Sequence, residues 1–300
     1  MMKTLTYLFL GAATVQLAAE TTGPKTFATP EEARDALIQA ATTGNLEAMR
    51  EIFGPEAARI ARTGDEVEDK NLREKFRARA AEKIQLDPDD SNPNRIDLLI
   101  GNEEWPFAVP LIRKNGRWYF DAKEGEAEIR RRIIGGDELD AIDICEGYVE
   151  AQQKYVDADR NGKGVVQYAS KIISSPGKKD GLYWPGEDSP VGEAFAKAVA
   201  EGYSPVSGKL TPFHGYFFKV LTAQGDAAKD GAQDFMVHGL MIGGYGLVAW
   251  PAQYGVSGIM TFIVNQDGVV YQKDLGPQTA TLAKAMTKFN PDKSWEEPPQ

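Results

Sequence analysis

Apolar residues Ala33, Ala36, Leu37, Ala40 and Ala41 fall three and four positions apart behind the run Thr29-Pro30-Glu31-Glu32. A hydroxyl cap, a proline in the first turn and two acids facing the dipole predict a helix start there. Gly44-Asn45 interrupts the pattern, and Leu46 to Phe53 and Glu66 to Ile84 read as two further helices. After the polar stretch Asp87 to Asn94 the period shortens to alternation, which predicts strands over Arg95 to Ile100, Pro106 to Arg113 and Arg117 to Asp121. Asn115-Gly116 is the turn between the last two. The first unit is therefore expected to be helices on a small antiparallel sheet.

Helical spacing returns over Glu124 to Ile133, and Gly135-Gly136 then predicts a boundary, with a new helix opening at Asp137. In that helix Leu139, Ile142, Cys145, Tyr148, Val149, Gln152, Tyr155 and Val156 share one face. Loops and a helix from Val191 to Ala200 follow. A strand series comes next: Tyr216 to Thr222, Asp234 to Leu240, Tyr245 to Trp250, Gly258 to Asn265 and Val269 to Asp274. Gln266-Asp267-Gly268 is its clearest hairpin, and Leu275-Gly276-Pro277 leads into a last helix ending near Met286. The expected fold is α+β in two units, residues 20–135 and 136–300.

Residues 1–19 stand outside this pattern. Met1, Met2 and Lys3 form a basic start, an apolar run leads to Leu17-Ala18-Ala19, and Glu20 follows, the arrangement of a cleaved export signal. The apolar run is shorter than the roughly 20 residues that cross a bilayer, and Thr4, Thr6, Thr14 and Gln16 dilute it. No other segment is long and apolar enough to span, so the mature chain is expected to be soluble and to work in the periplasm or outside the cell. Removing Lys3 with the leader leaves 33 basic against 44 acidic side chains, a net of −11, which repels nucleic-acid phosphates and anionic lipid. One cysteine, Cys145, cannot form an internal disulfide, so core packing must hold the fold.

Phe27 to Glu32, Trp105-Pro106-Phe107, Ser175 to Pro185, His214 to Phe218 and Tyr254 to Asn265 together resemble a bacterial family known as domain of unknown function 2950. The likeness runs over nearly the whole mature chain; it implies a bacterial, exported protein and brings no activity with it. The second unit, a long helix followed by a meander with Gly-x-x-Thr-Phe-x-Val-x-x-x-Gly-Val at Gly258 to Val269, is also similar to type IV pilin-like domains.

The candidate chemistry is sparse. Asp157, Asp159 and Asn161 with Gly162 match the first half of a calcium loop, but Tyr168 stands where the closing bidentate acid belongs, so a polar turn is expected and no metal. The two histidines, His214 and His238, both fall in predicted strands, where Asp234 or Glu201 could join them to hold zinc or serve a hydrolase, given a suitable register. Cys145 sits mid-stripe and is expected to be a core residue. Ser175-Pro176-Gly177-Lys178 has the spacing of a Ser-x-x-Lys pair, but Pro-Gly forbids the helix that chemistry needs. Gly255-Val256-Ser257-Gly258 is one residue short of a nucleophile elbow. Arg130-Arg131-Arg132 has Glu124, Glu126 and Glu128 at pairing distance, which predicts ion pairs along a solvated helix. Three Trp-Pro pairs, at Trp105, Trp184 and Trp250, hold their rings in extended segments, and Tyr183, Trp184, Trp250 and Tyr254 are the residues expected to offer a ligand or partner surface.

These readings point to an uncharacterised, non-catalytic envelope protein that binds a partner protein or a small ligand. It is expected to use no cofactor and no nucleic acid. A hydrolase built near His214 or His238 and a structural component of an envelope assembly are the competing readings.

Overall fold

A computed structural model describes residues 23–57, 62–158, 164–186, 188–192, 198, 201, 203 and 211–299. The expected leader, the end of the calcium-loop candidate at Asp159 and Asn161, and most of the helix expected over Val191 to Ala200 lie outside these residues. The fold is α+β, as the periodicities require.

The amino-terminal unit opens with α1 (Pro30–Thr43) and α2 (Leu46–Phe53). The Thr29 hydroxyl accepts the Glu32 amide, left-handed Gly44 closes α1, and Asn45 caps α2. Helix α3 (Glu66–Glu82) stops two residues earlier than its spacing suggests, because Ile84 begins a strand. That strand, β1 (Ile84–Pro88), pairs with β2 (Arg95–Ile100). The expected strand over Pro106 to Arg113 splits into β3 (Trp105–Pro106) and β4 (Leu111–Lys114). Two prolines, Pro106 and Pro110, account for the interruption, since neither can donate to a ladder. With β5 (Arg117–Phe120) these strands make one antiparallel sheet in the order β1-β2-β4-β5, with β3 on β2. Asn115 and Gly116 both take positive φ, 53° and 76°, as a two-residue hairpin demands.

The boundary predicted at Gly135-Gly136 is not a break in the chain's helix. Helix α4 (Ala122–Val156) runs through it as 35 residues, about 52 Å long. Its two ends bury in different cores. Ala122 packs with Phe27, Leu37, Phe53, Val109 and Phe120, whereas Ala141, Cys145, Tyr148, Val149, Ala151 and Tyr155 pack under the second sheet. Tertiary packing on both sides carries the helix across two glycines that would each cost about 1 kcal/mol in isolation.

That second sheet has the order β13-β12-β11-β6: β6 (Tyr216–Leu221), β11 (Gly246–Pro251), β12 (Met260–Asn265) and β13 (Tyr271–Asp274), all antiparallel. Between β6 and β11 lie four two-residue strands, β7 (Ala223–Gln224), β8 (Gln233–Asp234), β9 (Met236–Val237) and β10 (Leu240–Met241), where one longer strand was expected. Alternation along β11 sends Leu247 and Ala249 to the α4 side and Val248 and Trp250 to the opposite core, which α5 (Thr279–Ala285) and β14 (Lys288–Phe289) cover. No helix among the described residues is long and apolar enough to cross a membrane.

Candidate functional site

Ionisable side chains gather where α3, the middle of α4 and the segment leading into β6 meet. At the start of α3, Asp65 caps the helix: its Oδ1 accepts the Val67 amide at 2.9 Å and the Glu68 amide at 3.2 Å. Its other oxygen accepts the Tyr203 hydroxyl at 2.9 Å. Buried Thr63 ties the approach, with its amide and hydroxyl donating to Asp69 at 2.7 and 3.0 Å. The Asn71 amide group donates to the Glu201 carbonyl at 3.0 Å, a second tie between this end of α3 and the second unit beside Asp65–Tyr203.

Helix α4 supplies Asp137, Glu138 and Asp140, and the pattern here is inverted. Asp137 is 3 % exposed while Leu139 is 66 % exposed, so the leucine of the expected apolar stripe faces water and the aspartate faces protein. Glu138 accepts the amides of Ile259 and Met260 at 2.8 and 3.0 Å, fixing the start of β12.

The third component is a tight turn. His214 and Gly215 both have positive φ, 47° and 70°, and Phe213 and Tyr216 exchange backbone hydrogen bonds across them. His214 is therefore a turn residue and not the strand residue its neighbours suggest; His-Gly takes the place that Asn-Gly usually fills. The turn sets the imidazole between two acids, with Nδ1 2.5 Å from Asp140 Oδ2 and Nε2 2.8 Å from Glu201 Oε2. Its backbone amide donates to Tyr203 Oη at 3.2 Å, and the Tyr203 ring stacks on the imidazole at 5.8 Å.

The charge state follows from this geometry. Burial disfavours the imidazolium, but hydrogen bonds to Asp140 and then Glu201 outweigh it and raise the His214 pKa to about 9. Both ring nitrogens carry protons at neutral pH, so neither has a lone pair with which to take one from a substrate. Burial first, and the facing Glu68 carboxyl second, push Asp137 far above the usual carboxylate range, and burial also raises Glu68. The Tyr203 phenol is held neutral by burial and by Asp65.

The other sequence candidates lie apart from this cluster. His238 is at the exposed tip of the β9–β10 hairpin, with φ 51° followed by Gly239 at 79°, and Asp234 is exposed in β8. Neither shares a hydrogen bond or ion pair with His214 in the described residues, so the anticipated pairing of the two histidines is replaced by His214 with Glu201 and Asp140. Asp157 is the carboxy-terminal cap residue of α4. Among the described residues no group of three or more His, Cys, Asp or Glu side chains is arranged to hold a metal ion. Trp184 is 4 % exposed and packs on Tyr155 at 6.4 Å, with its indole N–H donating to Asp188 at 2.8 Å. Trp250 is fully buried in the other core. The surface expected from Tyr183, Trp184, Trp250 and Tyr254 is thus not one patch, because its two tryptophans fill different cores. Tyr254 instead donates to Asp274 at 3.3 Å.

Arg130 pairs with Glu126, and Arg131 and Arg132 pair with Glu128, along a helix that continues beyond them. Ser175 lies in a turn, where its hydroxyl donates to Asp180 at 2.9 Å and accepts from Lys171 at 2.7 Å. Buried Ser257 donates to the Gly215 carbonyl at 2.8 Å, which fixes the His-Gly turn from below. Cys145 is fully buried, and burial raises its thiol pKa.

Residues Asp65, Glu68, Asp137, Asp140 and Tyr203 were not among the sequence candidates. Asp65 and Glu68 resemble an ordinary helix start, and Asp137 and Asp140 resemble first-turn acids of a new helix. The signal that could have found them is the His-Gly dipeptide, whose need for positive φ marks a turn.

The family model described as Protein of unknown function (DUF2950) matches residues 24–297. No curated protein and no solved structure matches the chain.

Proposed function

The chain belongs to the DUF2950 family, a family of unknown function, and from that premise we propose that it is an exported, non-catalytic envelope protein that binds a partner protein or a small ligand. The observation that carries the non-catalytic half is the double clamp on His214. An imidazolium donating to Asp140 and Glu201 holds two segments together and leaves no base for a hydrolase. Export is supported by the basic, apolar and small-residue runs of residues 1–19. The division into units 20–135 and 136–300 is supported by the separate cores at the two ends of α4. The pilin-like reading of the second unit is supported by α4 lying on β11 and β12.

Expression of the full chain with its own leader in a bacterial host, followed by fractionation and intact mass, tests the first half. The expected product begins near Glu20 and leaves the cytoplasm; a cytoplasmic product retaining Met1 overturns it. Purified protein is then assayed against chromogenic ester, peptide, glycoside and phosphate substrates. Turnover that disappears in folded His214→Gln would establish the hydrolase instead. Binding is read by cross-linking the tagged chain in intact envelopes and by thermal shift against a small-molecule panel; no specific adduct and no shift in either would remove the binding reading.

A further inference from the structure

Oε2 of Glu68 and Oδ2 of Asp137 are buried and receive no N–H or hydroxyl donor. The two carboxyl groups face each other, and each acts on the other's charge. Two facing carboxylates buried without a donor would repel, and an ionised group left so costs several kcal/mol, so one of them keeps its proton. A proton is thus a structural component of the contact between α3 and α4. A few residues further along α4, the imidazole of His214 needs its own added proton to give one N–H to Asp140 and the other to Glu201.

We propose that the Glu68–Asp137 carboxyl pair, which faces α3 to α4, and the doubly clamped His214, which ties α4 to the segment carrying Glu201, form one proton-loaded latch that alkaline pH opens. The groups acting on the carboxyl pair are Asp65 from α3, Asp140 from α4 and His214 from the turn. Those acting on His214 are Asp140 and Glu201. Tyr203 and Tyr216 face the same cluster, with phenols kept neutral by burial and by Asp65 and Glu138 respectively. Each proton lost leaves an already acidic site one charge more negative. That charge tightens the hold on the remaining proton, so release is spread over a broad alkaline range.

The direction follows from linkage. His214 is raised from 6.5 to about 9, so its contribution is complete below the unfolded value and disappears as pH rises through the folded one. The carboxyl pair is also raised, so the folded chain binds a proton there that the unfolded chain has released, and this too weakens folding as pH rises. Acid closes the latch.

Denaturant unfolding of the purified mature chain between pH 6.5 and 9.5 tests this, and it does so whether or not the chain is exported or binds a partner. The unfolding constant should rise roughly 10- to 100-fold per pH unit between pH 7 and 9, corresponding to one to two protons. In Asp137→Asn the amide donates to Glu68 with no proton taken up, so the slope should drop by about tenfold per pH unit. Glu68→Gln gives the same reading should Asp137→Asn not fold. Independently, the infrared C=O stretch of a protonated buried carboxyl should persist in the wild type at pH 8 and be missing from Asp137→Asn. A wild-type slope near zero, a folded Asp137→Asn with the wild-type slope, or no protonated carboxyl band at pH 8 overturns the latch.

Discussion

Gly215→Ala is the change that probes the cluster most sharply, because one methyl group meets two separate obstacles. Gly215 has φ 70°, a conformation that costs an L-residue about 1–2 kcal/mol. A Cβ there would also lie 2.0 Å from Asp137 Oδ2 and 2.9 Å from Ser257 Cβ, whereas ordinary contact begins at 3.4 Å. The Asp137 oxygen would have to retreat by more than an ångström within a buried site. Overpacking of a filled interior costs about 1–3 kcal/mol. The expected loss is therefore about 2–5 kcal/mol, a large part of a typical domain's stability. Gly268→Ala is the control: its φ is 78° but a Cβ there meets nothing within 4 Å, so it should lose only about 1–2 kcal/mol. Urea unfolding at pH 7, with slopes compared to confirm two-state behaviour, measures both. If the two variants differ by less than about 0.5 kcal/mol, the close approach of Asp137 to the turn is refuted.

Three further outcomes are expected. Cys145, fully buried on the inner face of α4, should resist alkylation in the folded chain and label at once in denaturant, and Cys145→Ala should cost about 1 kcal/mol; fast labelling of the folded state would contradict its burial. The Lys219 ammonium donates to the carbonyls of Ala283, Lys284 and Met286, closing α5, so Lys219→Met should lose about 1–2 kcal/mol by urea unfolding, and an unchanged midpoint would remove that role. Asp180 has its pKa lowered to about 2, since Lys171 and the Ser175 amide and hydroxyl outweigh its partial burial. That contribution is present above the unfolded value near 3.8 and lost as pH falls through about 2, so Asp180→Asn should expose the loop around residues 171–183 to limited proteolysis at pH 6, where the wild type resists; equal cleavage of both would show that the ion pair does not order the loop.

The elements legible in the sequence were those whose local signals agreed with their tertiary place. Thr29-Pro30-Glu31-Glu32 and Gly44 bracket α1 as expected, and β2 and the Asn115-Gly116 hairpin fall where alternation and turn chemistry put them. Less legible was anything decided by distant partners. Ile84 to Pro88 has no clear alternation, and it is a strand because β2 offers it a ladder. Gly135-Gly136 has every local mark of a boundary, yet packing at Ala122 on one side and from Ala141 onward on the other carries the helix through it. The two His-Gly pairs were misjudged for one reason: aromatic and apolar neighbours resemble strand, and only the positive φ of both residues shows the turn.

The inversion at Asp137 and Leu139 bears on what the cluster is for. Moving a carboxyl group out of water costs several kcal/mol unless it is neutralised or paired, and a leucine left in water forgoes burial worth about 1.5–3 kcal/mol. Exchanging the two side chains would bury the leucine and free the acid. The sequence does the opposite at a position where the neighbouring acids, Glu138 and Asp140, also reach across to other elements. Elsewhere in α4 the usual rule holds, with Ala141, Cys145, Tyr148 and Val149 inward. A local exception inside an otherwise consistent helix is where stability has been exchanged for something else. What the buried acids gain in return is dependence on protons: an apolar seam would hold at every pH, whereas this one holds only while Asp137 and His214 keep theirs.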